Sequence, residues 1–187
     1  MRADDLSAAP QAPASASITS IREAVTPGDI ALARSLFVEY AQWLKVDLCF
    51  QGFDAELANL PGAYAPPLGR LLIAGAPAAA FGCVALRPLD QGCCGRVARA
   101  AVGPDLQVGE VKRLYVQPAY RGERWGRRLA AAAIADARAI GYRELKLDTL
   151  GWMAAARALY ADLGFRECEP YYDNPLPDVV YMSLDLS

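Results

Sequence analysis

Histidine is absent from all 187 residues. That absence removes Ser-His-Asp and Cys-His catalysis, imidazole general bases and imidazole metal ligands together, because histidine is the side chain whose unperturbed pKa lies near neutrality. Cysteine is scarce and unpatterned: five residues, an odd number, with no C-x-x-C spacing and with Cys93 and Cys94 adjacent. Such a set builds neither a zinc site nor a disulfide framework. It fits a reducing, cytoplasmic setting, with Cys49, Cys83 and Cys168 read as small buried hydrophobes. No stretch approaches the roughly 20 apolar residues of a membrane span, so a soluble protein without a membrane partner is expected. An excess of positive charge is lacking too. With 19 Lys and Arg against 21 Asp and Glu, the formal charge is −2, and no net basic field exists to attract nucleic acid.

What is present is ordinary for a globular chain: 54% apolar and 21% charged residues, enough for one domain with a real core. Residues 1–17 are rich in Ala, Pro and Ser and carry no apolar run of signal-peptide length, which predicts a disordered tail ahead of a single domain over 18–187.

Ile18 to Ala24 alternates as a first strand. Thr26 then offers an N-cap oxygen, Pro27 a first helical position and Asp29 an acidic first turn. Ile30, Ala33, Leu36, Phe37, Tyr40 and Leu44 form one helical stripe. A short helix is expected from Asp54, stopping before Pro61. Leu71–Ala74 and Ala79–Leu86 read as strands around the turn Gly75-Ala76-Pro77. Pro88 to Gln107 reads as a long loop. Beyond it come a strand over Val108–Val116, a helix from about Glu123 to Ile140 stopped by Gly141, a strand over Glu144–Leu150, a helix over Trp152–Leu163 stopped by Gly164, and a last strand over Val179–Leu186. This order is an α/β (mixed α+β) domain, one mixed sheet with helices on both faces, its central strand-helix-strand unit parallel.

The chemistry concentrates in VKRLYVQPAYRGERWGRRL, residues 111–129. A strand runs through a Pro118 turn and a glycine-bearing loop into a helix, which presents unpaired backbone N–H groups to an anion. Arg121, Arg124, Arg127 and Arg128 crowd that turn. Cations there oppose the helix dipole, a cost that a bound pyrophosphate would offset.

Arg121-Gly122-Glu123-Arg124-Trp125-Gly126 resembles the acetyl-CoA-binding signature [Q/R]-x-x-G-x-[G/A] of the GNAT superfamily. Ala156-Arg157-Ala158-Leu159-Tyr160, followed by Gly164-Phe165, is similar to that family's A-x-x-L-Y-x-x-x-G-F. The two stand in the family's order with a strand between them. The resemblance implies a mostly antiparallel central sheet with one splayed parallel strand pair, acetyl-CoA as co-substrate without a metal, and transfer of an acetyl group to a primary amine. The backbone of Leu114, Tyr115 and Val116 would take the pantetheine arm. Arg121, Gly122, Arg124, Trp125, Gly126 and Arg127 would take the diphosphate. Two departures stand out: Arg124 replaces the first signature glycine, and its N–H serves only if its φ stays negative; Met153 replaces an Asn common in the family.

Acetyl transfer needs the amine deprotonated, the oxyanion stabilised and the thiolate protonated. With no histidine, the base is a carboxylate, a water chain or the substrate itself. Glu110 matches the place of a catalytic glutamate in some members; such a role requires burial to raise its pKa. Its other reading is an ion pair with Lys112 or Arg113, or a solvent-facing side chain. Tyr160 matches the tyrosine that protonates the leaving thiolate, or else is a core tyrosine beside Leu159 and Leu163. Strict alternation puts Glu110, Lys112, Leu114 and Val116 on one face, unless a β-bulge near Arg113 or Leu114 intervenes. The acceptor pocket is expected from Asp47, Cys49 and Gln51 and from Tyr171, Tyr172, Asp173 and Asn174, the last group equally good turn chemistry. The implied partner is a small-molecule amine, with homodimerisation left open. A non-catalytic acetyl-CoA sensor and a protein N-acetyltransferase are the competing readings. A nucleotide-binding loop is disfavoured, since neither G-x-x-x-x-G-K-[S/T] nor G-x-G-x-x-G occurs.

Overall fold

The structure, a computed structural model, describes residues 20–89 and 108–187. The expected tail, the first two residues of the expected first strand and most of the loop before Val108 lie outside the described residues. In chain order the elements are β1 (Ser20–Glu23), α1 (Pro27–Leu44), α2 (Phe53–Ala58), β2 (Arg70–Gly75), β3 (Gly82–Pro88), β4 (Val108–Val116), α3 (Trp125–Ile140), β5 (Glu144–Leu150), α4 (Ala154–Asp162), β6 (Arg166–Glu167) and β7 (Val179–Asp185). The two-residue β6 carries too little pattern to be read from sequence. One sheet runs β1-β2-β3-β4-β5-β7-β6. Every neighbouring pair is antiparallel except β4 and β5, the two ends of the β4-α3-β5 crossover.

The strands are apolar on both sides because helices cover both. Leu71 and Ile73 of β2, with Cys83 and Ala85 of β3, pack on Ala33, Leu36 and Phe37 of α1. The alternate residues Leu72, Ala74, Val84 and Leu86 pack on Leu129, Ala133 and Ala137 of α3, together with Leu145 and Leu147. Helix α1 starts as its cap residues dictate: Thr26 Oγ1 accepts from the Asp29 N–H at 3.1 Å, and Arg22 of β1 donates to Asp29 Oδ1 at 2.9 Å, tying the strand to the first turn. Of the three cysteines read as buried, Cys83 is so, while Cys49 is exposed and Cys168 intermediate, because Cys49 opens a 3-10 turn and Cys168 follows the edge strand β6.

Strand β4 departs from ideal pleating in a way that shapes everything near it. Arg113 has φ +59°, and the register against β3 shifts between Cys83 and Ala85, which is a β-bulge. Strict alternation therefore fails. Lys112 and Arg113 both turn toward α1 and α2, as Tyr115 does, whereas Val111, Leu114 and Val116 turn toward α3. On its other edge β4 pairs with β5 only over Val108–Glu110 and Glu144–Lys146. Gly109 fits that narrow end, where a Cβ would lie 2.9 Å from Leu145 and 3.2 Å from the Tyr142 ring. Past Glu110 the two strands diverge.

Helix α3 begins at Trp125, two residues later than the sequence suggests, because Arg124 adopts a left-handed conformation, φ +62°, at the N-cap. The negative φ on which the reading of its N–H depended is thus not adopted. A left-handed non-glycine residue costs about 1 kcal/mol, a cost glycine avoids. Arg124→Gly is expected to raise stability by about 0.5–1 kcal/mol and the melting temperature by about 2 °C, read by thermal denaturation. A lowered melting temperature would show that the arginine side chain stabilises this turn by more than its backbone costs.

Candidate active site

The divergence of β4 and β5 opens a cleft through the sheet. Its walls are Val111 to Leu114 of β4 and Asp148 to Leu150 of β5, with Met153, Ala156 and Tyr160 from the α4 side and Tyr40, Leu44, Leu48, Gln51 and Leu176 from the α1 side. Over this stretch β4 and β5 share no ladder, so their facing backbone groups are free to pair with something placed between them. Leu114 lines the cleft; Tyr115 and Val116 continue the same strand toward α3.

At the far end of that strand the chain makes a 3-10 turn over Pro118–Tyr120 and passes Gly122, φ +89°, into α3. No side chain caps α3. The N–H groups of Trp125, Gly126 and Arg127 therefore have no intrahelical partner, while that of Arg128 bonds Arg124 O at 3.0 Å. Uncapped amides plus a helix dipole suit an anion, and the surrounding side chains refine the picture. Trp125 turns its ring into the core, edge-on to Phe81 at 5.0 Å, so only its backbone is offered. Arg128 stacks on Trp125 at 3.6 Å, and Arg127 pairs with Asp162 at 3.1 Å on the surface. Arg121 donates to Val116 O at 3.0 Å and stacks on Trp43 at 4.6 Å, which brings its charge to the mouth of the cleft. The Arg124 side chain makes no hydrogen bond or ion pair with the described residues.

On the α1 side of the cleft lies a buried charge network that the sequence suggested only in part. Glu110 is 1% exposed and accepts four hydrogen bonds or ion pairs: Arg87 Nε at 2.7 Å and Arg87 Nη2 at 2.6 Å on Oε2, Lys112 Nζ at 3.4 Å and the Tyr171 hydroxyl at 3.1 Å on Oε1. Burial pushes its pKa up, but Lys112 and Arg87 outweigh burial and hold the carboxyl below its ordinary value. The raised pKa expected of a base is thus not met, since burial came with two cations. The pairing with Lys112 is present, and Glu110 does not line the cleft. Arg113 goes elsewhere: it binds Glu56 through Nε at 3.0 Å and Nη2 at 2.5 Å, and donates to Gln51 at 3.1 Å. Tyr64 donates to the same Glu56 at 2.6 Å.

Tyr160 is 7% exposed and packs edge-on to Phe165 at 5.6 Å, so the core reading holds for its ring. The residue nevertheless lines the cleft, and its hydroxyl has no partner among the described residues. Burial raises its pKa well above the ordinary phenol value, so it is a neutral O–H donor at neutral pH. Gln51, Tyr171 and Tyr172, far apart in sequence, come together. Gln51 donates to the Tyr172 hydroxyl at 3.3 Å, Asn174 donates to the same oxygen at 2.8 Å, and Tyr171, Tyr172 and Tyr181 cluster with ring centroids 5.3–5.7 Å apart. Asn174 also accepts from the Leu176 N–H at 3.0 Å, as the turn reading has it; of the residues expected in the acceptor pocket, Gln51 lines the cleft and Tyr171, Tyr172, Asp173 and Asn174 do not. Asp47 accepts from the Cys49 N–H at 2.8 Å as a turn residue, and neither lines the cleft.

Sequence reading missed Asp148. Its carboxylate lies in the cleft wall, 3.3 Å from Lys112 Nζ and 3.4 Å from Asn174 Nδ2. The available signal was the polar position in the alternating ELKLDTL, which needed the strand pairing to give it a meaning. Also missed was the aromatic mouth, where Trp43 of α1 meets Trp152, 55% exposed, at 5.8 Å.

The family model described as the acetyltransferase (GNAT) family matches residues 38–165. An uncharacterised N-acetyltransferase of Schizosaccharomyces pombe is 39% identical over 177 residues, 94% of this chain and 98% of that protein. Among solved structures, an acetyltransferase from Streptococcus agalactiae superposes with a TM-score of 0.69 at 21% identity, covering 90% of this chain and 98% of that one. A Salmonella typhimurium structure solved with its cofactor acetyl-CoA superposes with a TM-score of 0.60 at 20% identity, over 90% and 94%. The family match and the 39% identical relative together show that the chain is an acyltransferase belonging to the acetyltransferase (GNAT) family.

Proposed function

We propose that the protein transfers an acetyl group from acetyl-CoA to a primary amine of a small-molecule acceptor, by direct attack within a ternary complex. The observation that carries this reading is the continuity of the open β4 edge with the uncapped start of α3, with Tyr160 facing the cleft between them. The free amides of Trp125, Gly126 and Arg127 take the diphosphate, beside Gly122 and the guanidinium groups of Arg121 and Arg124. The backbone of Leu114, Tyr115 and Val116 takes the pantetheine arm and polarises the thioester carbonyl. The acetyl-CoA-bound Salmonella protein has the same fold, which supports the choice of carrier.

Direct attack is favoured because, among the described residues, no Cys or Ser lines the cleft, and the chain has no His. Thr149 does, but its hydroxyl faces Met153 Sδ at 3.7 Å without a base to activate it. Cys83 is fully buried and its thiol is pushed up by burial, hence unreactive. The neutral Tyr160 hydroxyl supplies the proton to the departing thiolate. Glu110, ionised and with its acceptor sites filled, acts from behind as the partner that fixes Lys112 and Tyr171, and the amine's proton leaves through water. A small acceptor is favoured over a peptide because Arg113, Gln51 and Tyr172 are hydrogen-bonded in series on the α1 side, which ties that side of the site together.

A thiol-release screen over a panel of amines, with products identified by mass spectrometry, tests the reading. At least one small primary amine is expected to turn over, and Tyr160→Phe to lower kcat about 10–100-fold with acetyl-CoA affinity unchanged. Tight acetyl-CoA binding with no release for any amine would make the protein a sensor instead. Arg121→Ala is expected to weaken acetyl-CoA binding about tenfold by calorimetry, the size of one charge-assisted contact; an unaltered Kd would remove Arg121 from the site.

A further inference from the structure

Of the three carboxylates buried on the α1 side of the cleft, two are fully engaged. Glu110 has about four lone-pair positions and four donors on them. Glu56 takes both prongs of Arg113 and the Tyr64 hydroxyl. Neither lines the cleft. Asp148 differs on each count. It stands in the wall, two residues beyond the last β5 residue paired with β4. Its side chain keeps 14% exposure, against 1% for Glu110 and much as for Glu56 at 13%. Its contacts to Lys112 and Asn174 are long at 3.3 and 3.4 Å, one on each oxygen, and the Tyr172 hydroxyl is a third donor to it; a carboxylate with about four lone-pair positions still has room for one more.

Resting on the acetyltransferase reading above, we infer that Asp148 binds the acceptor's ammonium nitrogen, and that the acceptor is a small primary amine with an apolar body. The nitrogen meets Asp148 at the point where the strands part, close to Tyr160, whose hydroxyl feels the Asp148 charge. The rest of the acceptor meets Tyr40, Leu44, Leu48 and Leu176, which offer it no charge. Among the described residues the only cations in the cleft wall are Lys112 and Arg113, and both already face carboxylates, Lys112 two of them and Arg113 Glu56. An acceptor carboxylate would therefore compete with existing ion pairs. The transfer balances as follows. The bound ammonium gives one proton to water, its nitrogen forms the C–N bond to the thioester carbon, and the C–S bond breaks. The thiolate takes a proton from Tyr160, which regains one from the nitrogen, so the products are an N-substituted acetamide, the free thiol and one solvent proton.

The groups facing Asp148 are Lys112 of β4, Tyr40 of α1, Tyr160 of α4, Tyr181 of β7 and Tyr171, Tyr172 and Asn174 of the segment before it. On Asp148→Asn, a near-isosteric change that retains the Asn174 neighbourhood, Lys112 keeps its ion pair with Glu110. Three probes separate the alternatives: 2-phenylethylamine, an ammonium with an apolar body; phenylalanine, which adds a carboxylate; and aniline, neutral at pH 7. Wild-type protein is expected to acetylate phenylethylamine in preference to phenylalanine. Asp148→Asn is expected to raise KM for phenylethylamine about 10–100-fold, the worth of a hydrogen bond to a charged group, with the KM for aniline and the Kd for acetyl-CoA unchanged. Asp148→Glu, which keeps the charge, is expected to restore part of the loss. Equal KM values for wild type and Asp148→Asn, an equal loss for aniline, or a preference for phenylalanine would each overturn the inference while leaving an acetyltransferase standing. Absence of thiol release with every amine would overturn both.

Discussion

The ion pair between Arg113 and Glu56 is the contact on which the cleft depends. Arg113 sits at the bulge of β4 with a left-handed backbone, a conformation a long side chain adopts only when its surroundings compensate. Glu56 of α2 grips it with both oxygens, Gln51 adds a third hydrogen bond, and the Phe53 ring stacks on it at 5.2 Å. A guanidinium buried this deeply is tolerable only with such a full set of partners. The bulge they fix bends β4 away from β5, and that bend is what opens the sheet.

From this follows a division of labour between the two faces. The α3 face is apolar, built of Leu129, Ala133, Leu145 and Leu147 around a tyrosine whose hydroxyl alone stays free. The α1 face is apolar near β2 and β3 but holds three cations and three carboxylates beside the cleft. Buried charges at this density stand only when paired and hydrogen-bonded, and the segment before β7 supplies further donors, Tyr171 to Glu110 and Asn174 to Asp148. The network is rigid where its acceptor sites are filled, at Glu110 and Glu56, and open where they are not, at Asp148.

Much of the frame was legible from residues alone. Thr26, Pro27 and Asp29 dictated where α1 begins, Gly141 and Gly164 where two helices stop, and the alternation of VGEVKRLYV and ELKLDTL gave both central strands within their observed limits. The arginine-rich turn and the A-x-x-L-Y run pointed to the family and to Tyr160. Less legible was the state of each site residue. Glu110 and Lys112 could be paired by eye, but Arg87 lies 23 residues earlier and Tyr171 61 residues later, and their presence reverses the direction in which burial moves the carboxyl.

Local signals therefore determined what lies near in sequence: caps, periodicities, turn residues and the amide-rich start of α3, all of which act over a few residues through backbone sterics and short hydrogen bonds. The tertiary structure alone decided what depends on distant partners: the bulge at Arg113, the left-handed Arg124, the exclusion of Glu110 from the cleft and the exposure of Asp148 within it. The reason is electrostatic and steric together. Whether a buried carboxylate is filled or free depends on how many donors reach it from other strands, and no spacing along one strand records that count.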